Sequence, residues 1–374
     1  MKLIKRLSIS LLCTLFLSGC WDQNLLKDVK LVMGTGFDLT PEGKLLETVT
    51  IPEFSTGANA GTTPTKSQIV SAIGNSTRDA RNKINNLVTE QFDPSKQMII
   101  LFGKEYAKKD IYPALDSFYT DAKSSLVANA AIVDGMASNL LRVKTKEKKA
   151  MSTYLSELIQ SAQSSTVIPK LQGLMLSHIY NPGQDLTLPL LHAKANQIEV
   201  KGLALFNGSK YTGKYLPRED STLYIIMNGG KIGKEASINV KVHQNEKTKM
   251  ENYITINVIK SNQKLEVIPT NAQDISIKLK VNIKAEITEY PKDHLNTAKK
   301  VNLLSKEIST VLTKEAHEIL KKTQNANSDI FGIGKHVLSF HNSTWKQINW
   351  KKTYPKIKMQ PIVHVDIVKH GVFN

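Results

Sequence analysis

The first half of this chain mixes apolar stretches of strand length with apolar residues at helical spacing. The stretches 29–37 and 45–54 predict two strands of a hairpin, because Pro41 and Gly43 favour a turn between them. The stretch 67–88 repeats apolar residues every three, four or seven positions and predicts an amphipathic helix. We also expect strands at 98–102 and 126–133 and helices at 106–119 and 146–163. This alternation favours a sheet that is covered by helices.

The second half is dominated by alternation of apolar and polar residues with period two. A hairpin is expected at 198–216, since Asn207-Gly208 accepts the positive φ angles of a tight turn. Four further stretches predict half-buried strands of an antiparallel sheet; they are 236–242, 253–260, 264–268 and 275–287. An apolar stripe at helical spacing predicts one long helix at 295–323, which we expect to cover this sheet. The stretch 359–368 predicts a last strand.

Two segments interrupt these patterns. Residues 55–64 are rich in Gly, Ala and Thr and predict a mobile surface loop, whereas residues 164–195 carry Ser, Thr, Pro and Gly and form the clearest joint between domains. We expect a signal peptide at 1–19, an N-terminal α/β domain at 20–195, and a C-terminal domain with an antiparallel sheet and one long helix at 196–374. The predicted fold class is α/β, in an α+β-like form, with mixed and antiparallel sheets covered by helices in two to three domains.

The N-terminus has the features of a lipoprotein signal. Lys2, Lys5 and Arg6 precede an apolar run at 7–17, which is too short to span a bilayer because about twenty residues are needed. Leu17-Ser18-Gly19-Cys20 then resembles the bacterial lipobox. A cysteine thiol is the nucleophile that such processing needs, so Cys20 is the predicted site of S-diacylglycerol and N-acyl modification. The alternative is an ordinary secreted protein in which Cys20 is unmodified.

The charge and the cysteine content indicate which partners and which covalent links the mature protein can have. The formal charge is +17, and removal of Lys2, Lys5 and Arg6 with the signal leaves +14 on the mature chain. Such a chain beside a membrane is attracted to anionic lipid, by about 1 kcal/mol for each basic residue near the surface. The alternative is that the charges only form a solvated face. Nucleic acid is a weak candidate, because export removes the protein from it and no recognition motif is present. Cys13 and Cys20 are the only cysteines, so the mature body contains no disulfide.

No motif for catalysis or metal binding stands out. The sequence contains no P-loop, HExxH, GxSxG or paired CxxC pattern. Gly332-Ile333-Gly334 follows a predicted helix instead of a strand, so we interpret its glycines as turn formers. His336 and His341, and likewise His364 and Asp366, lack a third ligand in the sequence. We therefore predict no catalytic residue, no metal, no cofactor and no enzymatic activity.

Motifs at the two ends of the chain resemble one family. They are Gly19-Cys20-Trp21-Asp22 and the run Asp329-Ile330-Phe331-Gly332-Ile333-Gly334-Lys335, which is followed by Trp345, Trp350 and a strand ending in His370-Gly371. In this order they resemble the C subunit of nutrient-germinant receptors in spore-forming bacteria, often written Ger(x)C. The regions 102–107 and 119–121 match this family loosely, and its members often have an arginine near Thr120.

The resemblance implies a lipid-anchored protein on the extracytoplasmic face of the spore inner membrane, built from α/β domains with mixed sheets. It implies two integral-membrane partners, an A subunit and a transporter-like B subunit, and a role in triggering germination. Only Cys20 carries over as a functional residue. The predicted function is a non-enzymatic, lipid-anchored subunit of a germinant receptor that is needed for nutrient-triggered germination. The alternative is an extracytoplasmic solute-binding lipoprotein that delivers a nutrient to a membrane transporter.

The segment 329–350 is the most informative part of the second half. Phe331, Trp345 and Trp350 are large apolar groups in a polar stretch, and Gly332 and Gly334 allow the backbone to turn sharply beside them. Two interpretations remain open. The three aromatic side chains either fill the end of the C-terminal core or form an exposed patch that docks a membrane partner.

Overall fold

The computed structural model describes residues 29–53, 66–121, 123–125, 127–169, 179–243, 248–271, 274–292 and 295–370. The predicted signal peptide, Cys20 and the predicted loop at 55–64 lie outside the described residues. No helix within the described ranges is long and apolar enough to cross a membrane.

The first part of the chain builds a large mixed sheet. Two short strands, β1 (Val29–Leu31) and β5 (Gln91–Asp93), pair in parallel outside it. The strands of the large sheet are β2 (Gly34–Leu39), β3 (Leu45–Glu53), β4 (Lys66–Gly74), β6 (Ile99–Gly103), β7 (Asn129–Val133), β8 (Thr187–Lys194), β9 (Gln197–Asn207) and β10 (Lys210–Pro217). Their order is β10-β9-β8-β7-β6-β2-β3-β4. The four central strands are mutually parallel and the outer pairs are antiparallel, which accounts for the continuously apolar sequence of β6.

Helices cover the large sheet on both faces. They are α1 (Thr77–Asn85), α2 (Lys104–Lys109), α3 (Tyr112–Tyr119), α4 (Ala137–Leu141) and α5 (Met151–Ser164). Successive side chains of a strand point to opposite faces. Ile100 and Phe102 therefore pack with the side chains of α2 and α3, whereas Ile99 and Leu101 belong to the core that includes α4 and α5. The prediction of a sheet between helices is confirmed.

The prediction of one helix at 67–88 is wrong in its first part. Residues of β4 pair with β3 along the whole strand, so the ladder of hydrogen bonds outweighs a weak helical period. The β-branched side chains of Ile69, Val70 and Ile73 also suit a strand. Helix α1 begins only after Ser76, whose hydroxyl accepts a hydrogen bond from the backbone N–H of Asp79 at 3.2 Å.

The second part of the chain builds a four-stranded sheet in the order β11-β12-β13-β14. Its strands are β11 (Ser237–Lys241), β12 (Tyr253–Pro269), β13 (Ile275–Glu289) and β14 (Lys358–His370). The two strands predicted at 253–260 and 264–268 are one strand, whose register shifts between Val258 and Lys260. β14 runs parallel to β13, so this sheet is mixed and not purely antiparallel. A parallel neighbour needs a crossover connection, which the predicted long helix provides.

Further helices surround this second sheet. They are α6 (Arg218–Met227), α7 (Ala298–Asn325), α8 (Ile333–Phe340), α9 (Asn342–Trp345) and α10 (Trp350–Thr353), with 3-10 turns at Met250–Asn252 and Tyr354–Lys356. The long predicted helix is confirmed as α7, and Leu304, Ile308 and Leu312 on its apolar stripe are buried. The sequence pattern did not predict α6, because its residues from Ser221 onward are buried on every side and show no period.

The predicted domain boundary at residue 195 lies in the turn between β8 and β9. These two strands pair antiparallel within the large sheet, so residues 197–217 complete a sheet that the first half begins. The hairpin predicted at 198–216 is confirmed, and Gly208 in its turn has a φ of 61°. The division of the chain into separate domains at 195 stays a prediction.

Candidate functional site

The chain reverses its direction directly after α7, and two residues with positive φ make the reversal. Asn327 has a φ of 48° and Gly332 a φ of 67°, a region that asparagine and glycine tolerate better than other residues. The reversal carries Asp329 into the interior, where its side chain faces the first turn of α8. Asp329 is only 1% exposed.

The carboxylate of Asp329 accepts three hydrogen bonds. Its Oδ1 accepts one from the backbone N–H of Ile333 at 3.0 Å, and its Oδ2 accepts one from the N–H of Gly334 at 2.7 Å. These bonds satisfy the free N–H groups at the start of α8. Oδ2 also accepts a hydrogen bond from the indole Nε1–H of Trp350 at 3.0 Å. Asp329 therefore joins the start of α8 to α10.

A second aspartate, which is half-buried, links this segment to the large sheet. Asp185 precedes β8, and its Oδ2 accepts a hydrogen bond from the backbone N–H of Asp329 at 2.7 Å. Its Oδ1 accepts one from the N–H of Gly208, at the turn between β9 and β10, at 2.7 Å. We call Gly183, Asp185, Asp329, Gly334 and Trp350 the aspartate joint. All four carboxylate oxygens of the aspartate joint accept an N–H group.

Close backbone contact completes the aspartate joint. A Cβ atom on Gly183 would lie 2.4 Å from the carbonyl carbon of Gly334, and one on Gly334 would lie 2.4 Å from Nε1 of Trp350. The backbone N–H of Lys335 donates to the carbonyl of Gly183 at 2.8 Å. Only glycine permits these approaches, so the two glycines let a loop of the first half pack directly on α8.

Burial dominates the electrostatics of the aspartate joint. Loss of solvation raises the pKa of Asp329 to about 7, although the N–H groups of Gly334, Ile333 and Trp350 act to lower it. Burial also raises the pKa of Asp185, against the hydrogen bonds from Gly208 and the backbone of Asp329. Each carboxylate therefore titrates closer to neutrality than an exposed aspartate.

A cleft of about 280 Å³ opens beside the aspartate joint, between the loop before β8 and helix α10. Asn181, Trp345, Asn349 and Lys351 contribute to its wall. Among the described residues there is no group of three or more His, Cys, Asp or Glu side chains placed to hold a metal ion. Both carboxylates bind backbone or indole N–H groups, so the aspartate joint is arranged to hold chain segments together.

Two protein-family models match this chain. The model described as "Spore germination protein N-terminal domain" matches residues 22–193, and the model "Spore germination B3/GerAC like, C-terminal" matches residues 201–371. The chain belongs to the Ger(x)C family of spore germination proteins. The family expected from the terminal motifs is thus confirmed, and the match extends over almost the whole chain.

Individual Ger(x)C proteins support this result. The chain is 24% identical over 371 residues to spore germination protein GerQC of Bacillus cereus, covering 99% of each chain. It is 20% identical over 397 residues to spore germination protein KC of Bacillus subtilis, covering 98% of this chain and 95% of the relative. The crystal structure of the GerBC protein has the same fold, with a TM-score of 0.58 and 14% identity over 90% of this chain and 97% of the other.

The structure divides the aromatic residues of the Ger(x)C motif into different environments. Phe331 is 8% exposed and its ring meets Tyr224 edge to face, with centroids 5.1 Å apart. Trp345 and Trp350 are half-buried against the same core, with their rings 5.8 Å apart. Phe340, at the end of α8, is 72% exposed, and its ring lies tilted against that of His336 with the centroids 4.6 Å apart. This segment therefore contains both core and surface aromatic groups.

Sequence reasoning missed several members of the site. Gly183 and Asp185 lie in the Pro- and Gly-rich segment that the sequence pattern indicates as a joint between domains. Nothing local indicates that both carboxylate oxygens of Asp185 accept backbone N–H groups. The histidines of the motif region are close, with the rings of His336 and His341 6.2 Å apart. Burial, and then the neighbouring His341, lowers the pKa of His336. His364 and Asp366 are exposed on β14.

Proposed function

We propose that this Ger(x)C protein is a non-enzymatic, lipid-anchored subunit of a spore germinant receptor and is needed for nutrient-triggered germination. The observation that carries the proposal is the family match over residues 22–193 and 201–371. The lipobox ending in Cys20 supports the anchor. In this function the chain lies on the extracytoplasmic face of the spore inner membrane and works with the integral-membrane A and B subunits.

The geometry of the aspartate joint supports an assembly role over a reaction. Asp185 and Asp329 are the two carboxyl groups of the aspartate joint, and their oxygens accept hydrogen bonds from N–H groups of the fold. A general base needs a free site beside the proton that it removes. These carboxylates instead connect the large sheet to the segment that carries Trp345 and Phe340. A rigid connection suits a subunit that transmits contact between partners.

The exposed part of the motif region is the proposed docking surface for a membrane partner. Phe340 exposes most of its ring, and Trp345 lies half-buried nearby in the chain at the wall of the cleft. Aromatic residues are enriched among the anchors of protein interfaces. Phe331, in contrast, acts as a core residue. We therefore propose a docking role for Phe340 and Trp345 and a core role for Phe331.

Complementation of spores tests the function. A strain that lacks this chain should lose germination in response to one nutrient or nutrient mixture while it keeps the response to a non-nutrient trigger. The natural chain should restore the response, and Cys20→Ala should restore it poorly because the chain is no longer anchored. Radioactive fatty acid should label the natural chain and not the Cys20→Ala chain. Full germination without this chain, under every nutrient condition tried, would contradict the proposal.

A binding measurement on purified protein separates this function from nutrient delivery. A solute-binding lipoprotein usually has two similar lobes around a cleft, whereas here an eight-stranded mixed sheet adjoins a four-stranded one. Tight binding of a single nutrient by residues 21–374 alone, measured by calorimetry, would favour the solute-binding alternative.

A further inference from the structure

The four-stranded sheet has one apolar face and one lysine-rich face. Ile277, Leu279 and Val281 of β13 are buried in the core that α7 covers. Side chains alternate across a strand, so the lysines between and after them point to the opposite face. Lys278, Lys280 and Lys284 of β13 are exposed there, and the neighbouring β12 adds exposed Lys260 and Lys264; we call these five the lysine face.

The register places lysines of the lysine face directly opposite one another. Lys264 pairs with Lys280, and Lys260 pairs with Lys284. Like charges at directly opposed positions destabilise a sheet. The two lysine pairs are separated on this face by one pair, Asn262 and Asn282. The lysine face therefore carries a repulsion that a bound polyanion would relieve.

Acidic residues compensate this charge only in part. Glu266 makes an ion pair with Lys264 at 2.9 Å, and Asp366 of β14 lies beside Lys284 in the register. The structure places no carboxylate of a described residue within 4.0 Å of the ammonium group of Lys278 or Lys280. Glu266 lies directly opposite Lys278 in the register, and Lys264, Lys280 and Lys278 all act to lower its pKa. One carboxylate therefore serves three lysines, and the middle of the lysine face keeps a net positive charge.

Aliphatic side chains lie among these lysines. Ile362 of β14 is adjacent to Lys280 in the register and is 51% exposed. Ile268, on the same face of β12, is also exposed. Lysine can lay its aliphatic stem along apolar surface while its ammonium group stays in a polar layer. A surface that combines these groups matches the headgroup region of a bilayer, where phosphates adjoin hydrocarbon.

The composition of the lysine face argues against a protein partner. Protein interfaces are depleted of lysine and enriched in arginine and aromatic residues. The outward positions at 260–268 and 276–286 contain no arginine and no aromatic residue. Clustered lysines, in contrast, are the usual means of binding anionic lipid, at about 1 kcal/mol for each residue near the surface.

We propose that the lysine face binds the headgroups of an anionic phospholipid bilayer. This contact is additional to the anchor at Cys20 and does not depend on it. It would hold the four-stranded sheet flat against the membrane to which the proposed function attaches the chain, and it would leave the lysines of α7 directed elsewhere. The outer face of the four-stranded sheet is then the side of the molecule that contacts the membrane.

Vesicle binding by unlipidated residues 21–374 tests this, since this chain keeps every described residue. Vesicles of phosphatidylcholine with phosphatidylglycerol should bind it at low salt, and vesicles of phosphatidylcholine alone should not. Lys278→Gln/Lys280→Gln/Lys284→Gln should lower the partition constant about a hundredfold. The matched control is Lys299→Gln/Lys306→Gln/Lys314→Gln, which removes the same charge from exposed positions of α7 and should lower it less than about threefold.

The possible results separate the alternatives. A much larger loss in the sheet variant than in the helix variant supports the lysine face. Equal losses would mean that only net charge matters, and no binding of the natural chain at low salt would favour an acidic protein partner; either result overturns the proposal. Lys278→Arg/Lys280→Arg/Lys284→Arg keeps the charge and should bind like the natural chain, which excludes misfolding as the cause. None of these outcomes bears on germination in spores, so the proposed function is tested separately.

Discussion

Asp185 and Asp329 hold each other by two hydrogen bonds although 144 residues separate them in the sequence. The backbone N–H of Asp185 donates to the carbonyl of Asp329 at 2.9 Å, and the N–H of Asp329 donates to Oδ2 of Asp185 at 2.7 Å. One residue precedes a strand of the large sheet and the other follows the long helix α7. The Ger(x)C motif therefore includes the connection between the two sheets of this protein.

Asp329→Asn should destabilise the protein by about 1–3 kcal/mol. Three N–H groups point at the carboxylate, and an amide NH₂ in place of one oxygen leaves at least one buried donor without an acceptor. The midpoint of urea unfolding measures the change. Asp366→Asn, at an exposed position of β14, is the control and should leave the midpoint in place. An equal midpoint for Asp329→Asn would mean that the aspartate joint does not contribute to stability.

Gly334→Ala should destabilise by about 1–3 kcal/mol even though alanine favours helices. The cause is steric, since the new Cβ atom would lie 2.4 Å from Nε1 of Trp350. A double-mutant cycle checks this cause. In a Trp350→Ala background the cost of Gly334→Ala should fall in part, because the ring is gone while the Cα atom of Gly183 still lies 2.7 Å from the new Cβ atom. Additive costs would place the strain elsewhere, for example against Gly183.

Phe340→Ala should leave thermal unfolding unchanged and impair nutrient-triggered germination. The ring is 72% exposed, so its removal takes little from the core, but it removes the main anchor of the proposed docking surface. Met250→Ala removes a similarly exposed apolar group, 69% exposed, from the turn before β12, outside the segment 329–350, and should germinate normally. Phe331→Ala should instead melt well below the natural chain, since its ring is buried against Tyr224. Normal germination of spores with Phe340→Ala would remove this residue from the docking surface.

Stability should fall as pH rises from about 5 to 8, and Glu47 should contribute to this fall. Burial raises the pKa of Glu47 to about 7, although Arg81, with Nε 3.5 Å from Oε1, acts to lower it. A carboxyl whose pKa is raised by folding stabilises the folded state below its unfolded pKa and loses this contribution as pH rises through the folded value. The slope from one such group is at most about 1.4 kcal/mol per pH unit.

Melting temperatures of Glu47→Gln across this pH range measure that contribution. The variant should show a shallower decline than the natural chain, because its amide does not ionise. Glu266→Gln is the control, since Lys264 holds the pKa of that exposed carboxyl below its ordinary value. An unchanged slope in Glu47→Gln would assign the pH dependence to other buried carboxyls such as Asp38 and Asp329, whose pKa values burial also raises.

Local patterns in the sequence predict the elements whose signal is strong within ten to thirty residues. The stripe of α7, the alternation of β13 and the Asn207-Gly208 turn are of this kind, and each is present. The strand β4 was missed because its pairing with β3 decides its conformation, and the sequence alone does not contain that partner. The parallel position of β14 likewise depends on where α7 returns the chain.

Only the residues of the aspartate joint that follow α7 could be predicted from the sequence. The sequence drew attention to Phe331, Gly332, Gly334, Trp345 and Trp350 as a sensitive segment. Gly183 and Asp185 carry no local signal, because a hydrogen-bonded polar residue in a Pro- and Gly-rich loop resembles a surface residue until its partners are known. The sequence shows the excess of lysine, but only the strand register shows that Lys264 lies opposite Lys280 and Lys260 opposite Lys284.

Co-purification from spore membranes tests whether this chain is a subunit of a germinant receptor. A tagged form of this chain, expressed from its own locus, is solubilised with a mild detergent, captured and analysed by mass spectrometry. We expect integral-membrane A and B subunits of a germinant receptor to be recovered with it, and we expect Phe340→Ala to lower their recovery while Met250→Ala does not. Recovery of the chain without either subunit, from membranes in which both are detected, would contradict its assignment as a receptor subunit.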